Sequence, residues 1–124
     1  MTQVTARILL VDDTPECLSF LDARLRALGY FTSIVHNGAQ AIESVARDRP
    51  DLVVLDISMP EVNGYQACRE IKRLAAGLPV LVLTAKTDPA HKFWALESGA
   101  DDFLTKPIDP ALVVQHVRTL LEKK

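Results

Sequence analysis

The chain has 124 residues, less than one typical domain of about 150, so residues 1–124 are expected to form a single domain. Hydrophobic residues make up 48% and charged residues 24%, enough apolar material for a buried core, which excludes an intrinsically disordered chain. Fourteen Lys plus Arg against sixteen Asp plus Glu leave a formal charge of -2; this supplies no basic field for a phosphate backbone or an anionic membrane, so the chain is not expected to bind nucleic acid directly.

The N-terminal residues 1–7 carry one late positive charge and lack the form of a signal peptide. The aliphatic runs 8–11 and 52–55 are only four residues long, against the roughly 20 needed to cross a bilayer. A cytoplasmic protein without a membrane segment is expected. The first apolar run, Arg7 to Val11, predicts a strand, and Leu18, Leu21, Leu25 and Leu28 then recur at helical spacing. Thr14 and Pro15 are placed to open that helix and Gly29 to close it. Aromatic and β-branched residues at 30–35 predict a second strand, and Ala41, Ile42 and Val45 a helix after Asn37-Gly38. Pro50 precedes a third strand, Leu52 to Ile57. Ala67, Ile71 and Leu74 mark a helix after Gly64, and Pro79 precedes a fourth strand at 80–83. Asp88-Pro89 opens a helix whose inner face is Phe93 and Leu96. After Gly99 comes a short fifth strand at Phe103-Leu104, then a helix opened by Asp109-Pro110 with Val113, Val117, Leu120 and Leu121 on one face.

Strands that are apolar on both faces and separated by helices imply a parallel sheet covered on its two sides, a doubly wound α/β fold. Ligand chemistry in such sheets gathers at the carboxyl ends of the strands. Here those ends carry Asp12-Asp13 after strand one, Asp56 in strand three, Thr84 after strand four and Lys106 after strand five. If strands one and three are neighbours, three carboxylates converge. Two unit charges about 4 Å apart at an effective dielectric of about 20 repel by roughly 4 kcal/mol, so the cluster must take up protons or a cation. Oxygen ligands without nearby His or Cys favour Mg²⁺, which typically completes its shell with water and phosphate oxygens. Lys106 and Thr84 are suited to holding phosphoryl oxygens, and Asp56, the lone acid at its strand end, is the candidate nucleophile, with Asp12 and Asp13 holding the metal. Taken singly, each has a plainer role: Asp12 or Asp13 as a helix cap, Lys106 as a solvated lysine, Thr84 as a β-branched strand residue. Asp51 and Asp101, at strand starts or in turns, are assigned to structure.

The succession ILLVDD at 8–13, DLVVLDISMP at 51–60 with Asn63-Gly64, VLVLTA at 80–85 and GADDFLTKP at 99–107 resembles the receiver domain of two-component response regulators over almost the whole chain. That resemblance implies a flavodoxin-like (βα)5 domain with strand order 2-1-3-4-5. It implies that Asp56 accepts a phosphoryl group from a histidine kinase or phosphotransfer protein. It further implies that Asp13, Asp56 and the Ser58 carbonyl ligate Mg²⁺ while Asp12 holds a metal-bound water. Thr84 and Lys106 would contact phosphoryl oxygens, Phe103 would be the switch aromatic, and Lys106-Pro107 a cis peptide. Phosphorylation would then switch the face built from the helix at 88–99, the fifth strand and the last helix. The domain would signal to an effector protein or fused output domain rather than act as an enzyme, as a monomer or a phosphorylation-dependent dimer.

Two rivals share parts of this pattern: a small Mg²⁺-dependent aspartyl-nucleophile phosphatase, and a receiver-like scaffold that works without phosphate. The phosphatase class expects Asp-x-Asp after strand one, where this chain has adjacent aspartates. Trp94 is a possible partner contact. His36, His91 and His116 are scattered in sequence and predict no metal site, and Cys17 and Cys68 are expected to pack as small hydrophobes.

Overall fold

A computed structural model describes residues 6–12, 18–57, 61–84, 97–105 and 108–122. Five strands, β1 (Arg7–Val11), β2 (Phe31–Val35), β3 (Leu52–Ile57), β4 (Val80–Thr84) and β5 (Asp102–Thr105), form one parallel sheet in the order β2-β1-β3-β4-β5. Alternation along the strands divides the core in two. Leu9, Val11, Val53, Leu55 and Val82 face α2 (Gly38–Asp48) and α3 (Glu61–Leu74), where Ala41, Val45, Cys68 and Ile71 are buried. Ile8, Leu10, Val54, Leu81 and Leu83 face α1 (Ser19–Ala27) and the C-terminal helix (Pro110–Glu122), meeting Leu21, Leu25, Val113 and Val117. Both faces of the sheet are thus covered, as strands apolar on each side require.

The local signals are met in several places. Asn37 caps α2 by accepting the Gln40 N–H at 2.8 Å, and Asp109 accepts the Ala111 N–H at 3.0 Å to open the C-terminal helix. Gly29, at φ +97°, closes α1. Its own N–H reaches the Arg26 carbonyl and the Tyr30 N–H reaches the Leu25 carbonyl, the paired bonds of a left-handed helix stop.

Other expectations shift. The described part of α1 begins at Ser19, with no side-chain cap on Leu18; the expected Thr14-Pro15 opening, like Asp88-Pro89 and the helix it would start, lies outside the described residues. Helix α3 starts at Glu61, so Gly64 lies inside it, since a helix tolerates an internal glycine at a cost of about 1 kcal/mol. Leu28 and Leu74 are 44% and 50% exposed rather than on the buried stripes, because each stands where its helix ends and the chain leaves the sheet.

Candidate functional site

Asp12 follows β1 directly and is 1% exposed. Its backbone N–H donates to the Val35 carbonyl at 3.0 Å, continuing the β1–β2 ladder by one step, and its Oδ2 accepts the Leu18 N–H at 3.0 Å. One of its oxygens therefore holds the chain where it enters α1. Asp56 is the fifth residue of β3 and fully buried, with both carboxylate oxygens shielded from solvent. The β1–β3 register pairs Val11 with Leu55, so the next step along both strands brings Asp12 beside Asp56. Each follows the alternation of Leu10 and Val54, toward the α1 face of the sheet.

Thr84 ends β4, buried at 2% exposure, opposite Ile57 of β3 and Thr105 of β5. Phe103 pairs with Val82 across β4 and β5 and is half-buried against the α2–α3 core. Asp13, Ser58, Trp94, Lys106 and Pro107 lie outside the described residues. The sheet thus gathers Asp12, Asp56 and Thr84 at one edge, on three adjacent strands.

Two acidic oxygen donors on neighbouring strands, both withdrawn from water, match the donor chemistry of a hard divalent cation. Burying like charges without a compensating cation is costly. Mg²⁺ keeps several waters and takes only one or two carboxylates, a number that Asp12 and Asp56 match. A groove of about 800 Å³ lined by Val45, Arg49, Pro50 and Leu74 opens at the opposite edge of the sheet, far along the strands from these acids.

The residues matched by the receiver-domain model of response regulators run from 8 to 118, which includes Asp12, Asp56, Thr84 and Phe103. The chain belongs to the response regulator receiver domain family. It is 42% identical over 123 residues to the DNA-binding response regulator MtrA of Mycolicibacterium smegmatis, covering 99% of this chain and 54% of that protein. It is 38% identical over 120 residues to the response regulator MprA of Mycobacterium ulcerans, covering 97% and 52%. The chain spans about half the length of these curated relatives. Among solved structures, the receiver domain of a Pseudomonas aeruginosa sensor histidine kinase matches with a TM-score of 0.85 and 32% identity, covering 96% of this chain and 99% of that one; it holds a magnesium ion coordinated in its active site cleft. The receiver domain of a Syntrophus aciditrophicus signal transduction histidine kinase matches at 0.86 and 39%, covering 96% and 92%.

One expectation about this receiver domain's partners is overturned. The near-neutral charge points away from nucleic acid, yet the MtrA relatives are DNA-binding response regulators. The physical reason is one of scope: the charge is that of a chain half as long as those proteins, and the field of one domain does not govern what the rest of such a protein binds. No helix among the described residues is long and apolar enough to cross a membrane.

His36, to which its spacing from the other histidines assigns no role, also lies at this edge. His36, just past β2, places Nδ1 3.2 Å from the Asp12 carbonyl. The strand order 2-1-3 was the available signal, because it makes residue 36 the neighbour of residue 12.

Proposed function

We propose that the single domain of residues 1–124 is a phosphorylation switch in which Asp56 is the phosphoacceptor. The observation that carries this reading is the complete burial of Asp56 beside buried Asp12 at the carboxyl edge of the sheet. A solvent-excluded carboxylate, held by a rigid strand, is preorganised to attack phosphorus. An oxygen of Asp56 forms the new P–O bond while the P–N bond to a histidine of the donor kinase breaks, its electron pair and a proton going to the departing imidazole. Attack by water on the acyl phosphate returns the carboxylate and releases phosphate, so phosphorylation and dephosphorylation are both assisted by the domain itself.

Asp12, Asp13, Asp56 and the Ser58 carbonyl are assigned to Mg²⁺, which supplies charge neutralisation for the phosphoryl oxygens when bound. Asp12 would hold a metal-bound water. Thr84 and Lys106 are assigned to the phosphoryl oxygens, with Lys106 next in line after β5. When the Thr84 hydroxyl turns to the phosphoryl group it vacates space at the end of β4, and Phe103, half-buried on the neighbouring strand, turns inward. The surface around β5 and the C-terminal helix then carries the signal to an effector, which in a longer protein of the MtrA kind is a DNA-binding segment. The signalling role and the free thiol of Cys68 fit a cytoplasmic location.

The test is exposure to a small phosphodonor with Mg²⁺, followed by intact mass and acid-stability of the adduct. One labile phosphoryl group is expected on the parent chain and none on Asp56→Ala. Steady turnover of free phosphomonoesters would point instead to the aspartyl phosphatase.

A further inference from the structure

The two edges of the sheet are guarded differently. Strand β5, at one edge, carries Asp102, whose carboxylate is paired with His116 of the C-terminal helix, and a charged side chain on an edge strand turns away incoming strands. Strand β2, at the other edge, reads Phe-Thr-Ser-Ile-Val over 31–35, with no charge, proline or glycine. The Phe31 N–H donates to the Ala6 carbonyl and the Val35 carbonyl accepts the Asp12 N–H, both on the β1 side. Because backbone groups alternate in direction along a strand, Thr32 and Ile34 turn their N–H and C=O away from β1, where the sheet has no further strand. Among the described residues nothing bonds to them there. Phe31, 65% exposed, stands at the base of this edge.

We infer that β2 is a self-association edge, at which a second copy of this chain adds its own β2, antiparallel, extending the sheet across a two-fold axis at Ser33. The segment is its own complement in that register. Thr32 of one copy and Ile34 of the other exchange N–H to C=O bonds, and the two-fold repeats the exchange, giving four bonds. Phe31 then stands opposite Val35 on the α2 side of the sheet, an aromatic against a β-branched residue. Ser33 stands opposite itself, where Cα atoms approach to about 4.5 Å and a small side chain is needed. Charge agrees with this pairing. On the α1 side the edge is bordered by Asp22 and Arg26, joined to each other at 3.3 Å and to the Thr32 hydroxyl. That pair is neutral, and a two-fold sets its acid-then-base order against base-then-acid. Because the axis joins one edge to the same edge, assembly closes at two chains. It uses neither Asp56 nor the β5 face, so it does not depend on phosphorylation.

The test is sedimentation velocity on the full chain, in EDTA and without a phosphodonor, from about 10 µM to about 1 mM, comparing the parent with Ser33→Lys and Ser33→Glu. Ser33 is exposed, so neither substitution enters the core. The parent should pass from monomer to dimer over this range. Each variant alone places like charges face to face across the axis and should associate at least about ten-fold more weakly, whereas an equimolar mixture of the two should dimerise at least as well as the parent. In the parent, amide exchange at Thr32 and Ile34 should slow as concentration rises. A parent that stays monomeric to the top of the range overturns the proposal. So does a dimer that both variants form as readily as the parent, or a mixture that associates no better than its components.

Discussion

Strand β3 is bracketed by two aspartates in opposite circumstances. At its start Asp51 exchanges a reciprocal pair of bonds with Arg7: its N–H donates to the Arg7 carbonyl at 2.8 Å and its Oδ2 accepts the Arg7 N–H at 2.8 Å. Asp101 repeats this one interval across the sheet, its N–H on the Val80 carbonyl at 2.9 Å and its Oδ2 on the Val80 N–H at 2.8 Å, with Lys72 Nζ at 2.9 Å. Both serve the first amide of a neighbouring strand, a donor that would otherwise lie beyond the ladder. At the other edge Asp12 and Asp56 are withdrawn from water side by side. One residue type thus closes the sheet at its base and concentrates charge at its top, and only the second arrangement works against stability, as functional sites commonly do.

The sharpest way to break this contrast is phosphoryl uptake. Asp56→Ala should abolish it, whereas Asp51→Ala and Asp101→Ala, if folded, should label like the parent. Loss of labelling in a folded Asp101→Ala protein would show that the two edges are not separate. Next in size is stability. Asp101→Ala removes a charge-assisted bond to Val80 and one of two partners of a mostly buried Lys72, which keeps the Leu78 carbonyl, and should cost about 2–3 kcal/mol by urea unfolding. Asp56→Asn should leave metal-free stability unchanged or higher, since it removes one of two adjacent buried charges. Smaller again is the response to metal: Mg²⁺ at ten times its Kd should stabilise the parent by about 1.4 kcal/mol and Asp56→Ala by much less.

The base of the sheet was the more legible half. Asp51 and Asp101 were recognisable as structural because each directly precedes a strand, and the apolar runs with their Pro and Gly neighbours placed all five strands to within about two residues. The carboxyl edge was legible as a set of residue types, since polar groups after apolar strands are conspicuous. What linear spacing could not convey is contact across strands. The bond from the Leu18 amide to Asp12 depends on how the chain returns after β1, and His36 meets Asp12 only once β2 is known to lie beside β1. Exposure of Leu28 and Leu74 was hidden for the same reason: helical periodicity continues to the last turn, whereas the sheet beneath it does not.

The smallest expected effect sharpens the contrast from the base. Cys68, buried on α3, has its thiol pushed above the ordinary value chiefly by that burial, with the Ser98 hydroxyl and the Lys72 charge opposing the shift. The unfolded chain therefore ionises this thiol first as pH rises. Stability from the buried neutral thiol is complete below about pH 8.5 and declines above it, by at most about 1.4 kcal/mol per pH unit. Measured against Cys68→Ala, the parent's stability margin should shrink between pH 7 and pH 9.5. In a Cys17→Ser background, Cys68 should also react with a thiol reagent only as fast as the domain opens. A margin that stays constant over that range, or rapid labelling of the folded protein, would mean that the region around Lys72 and Asp101 admits water and is not the closed base described above.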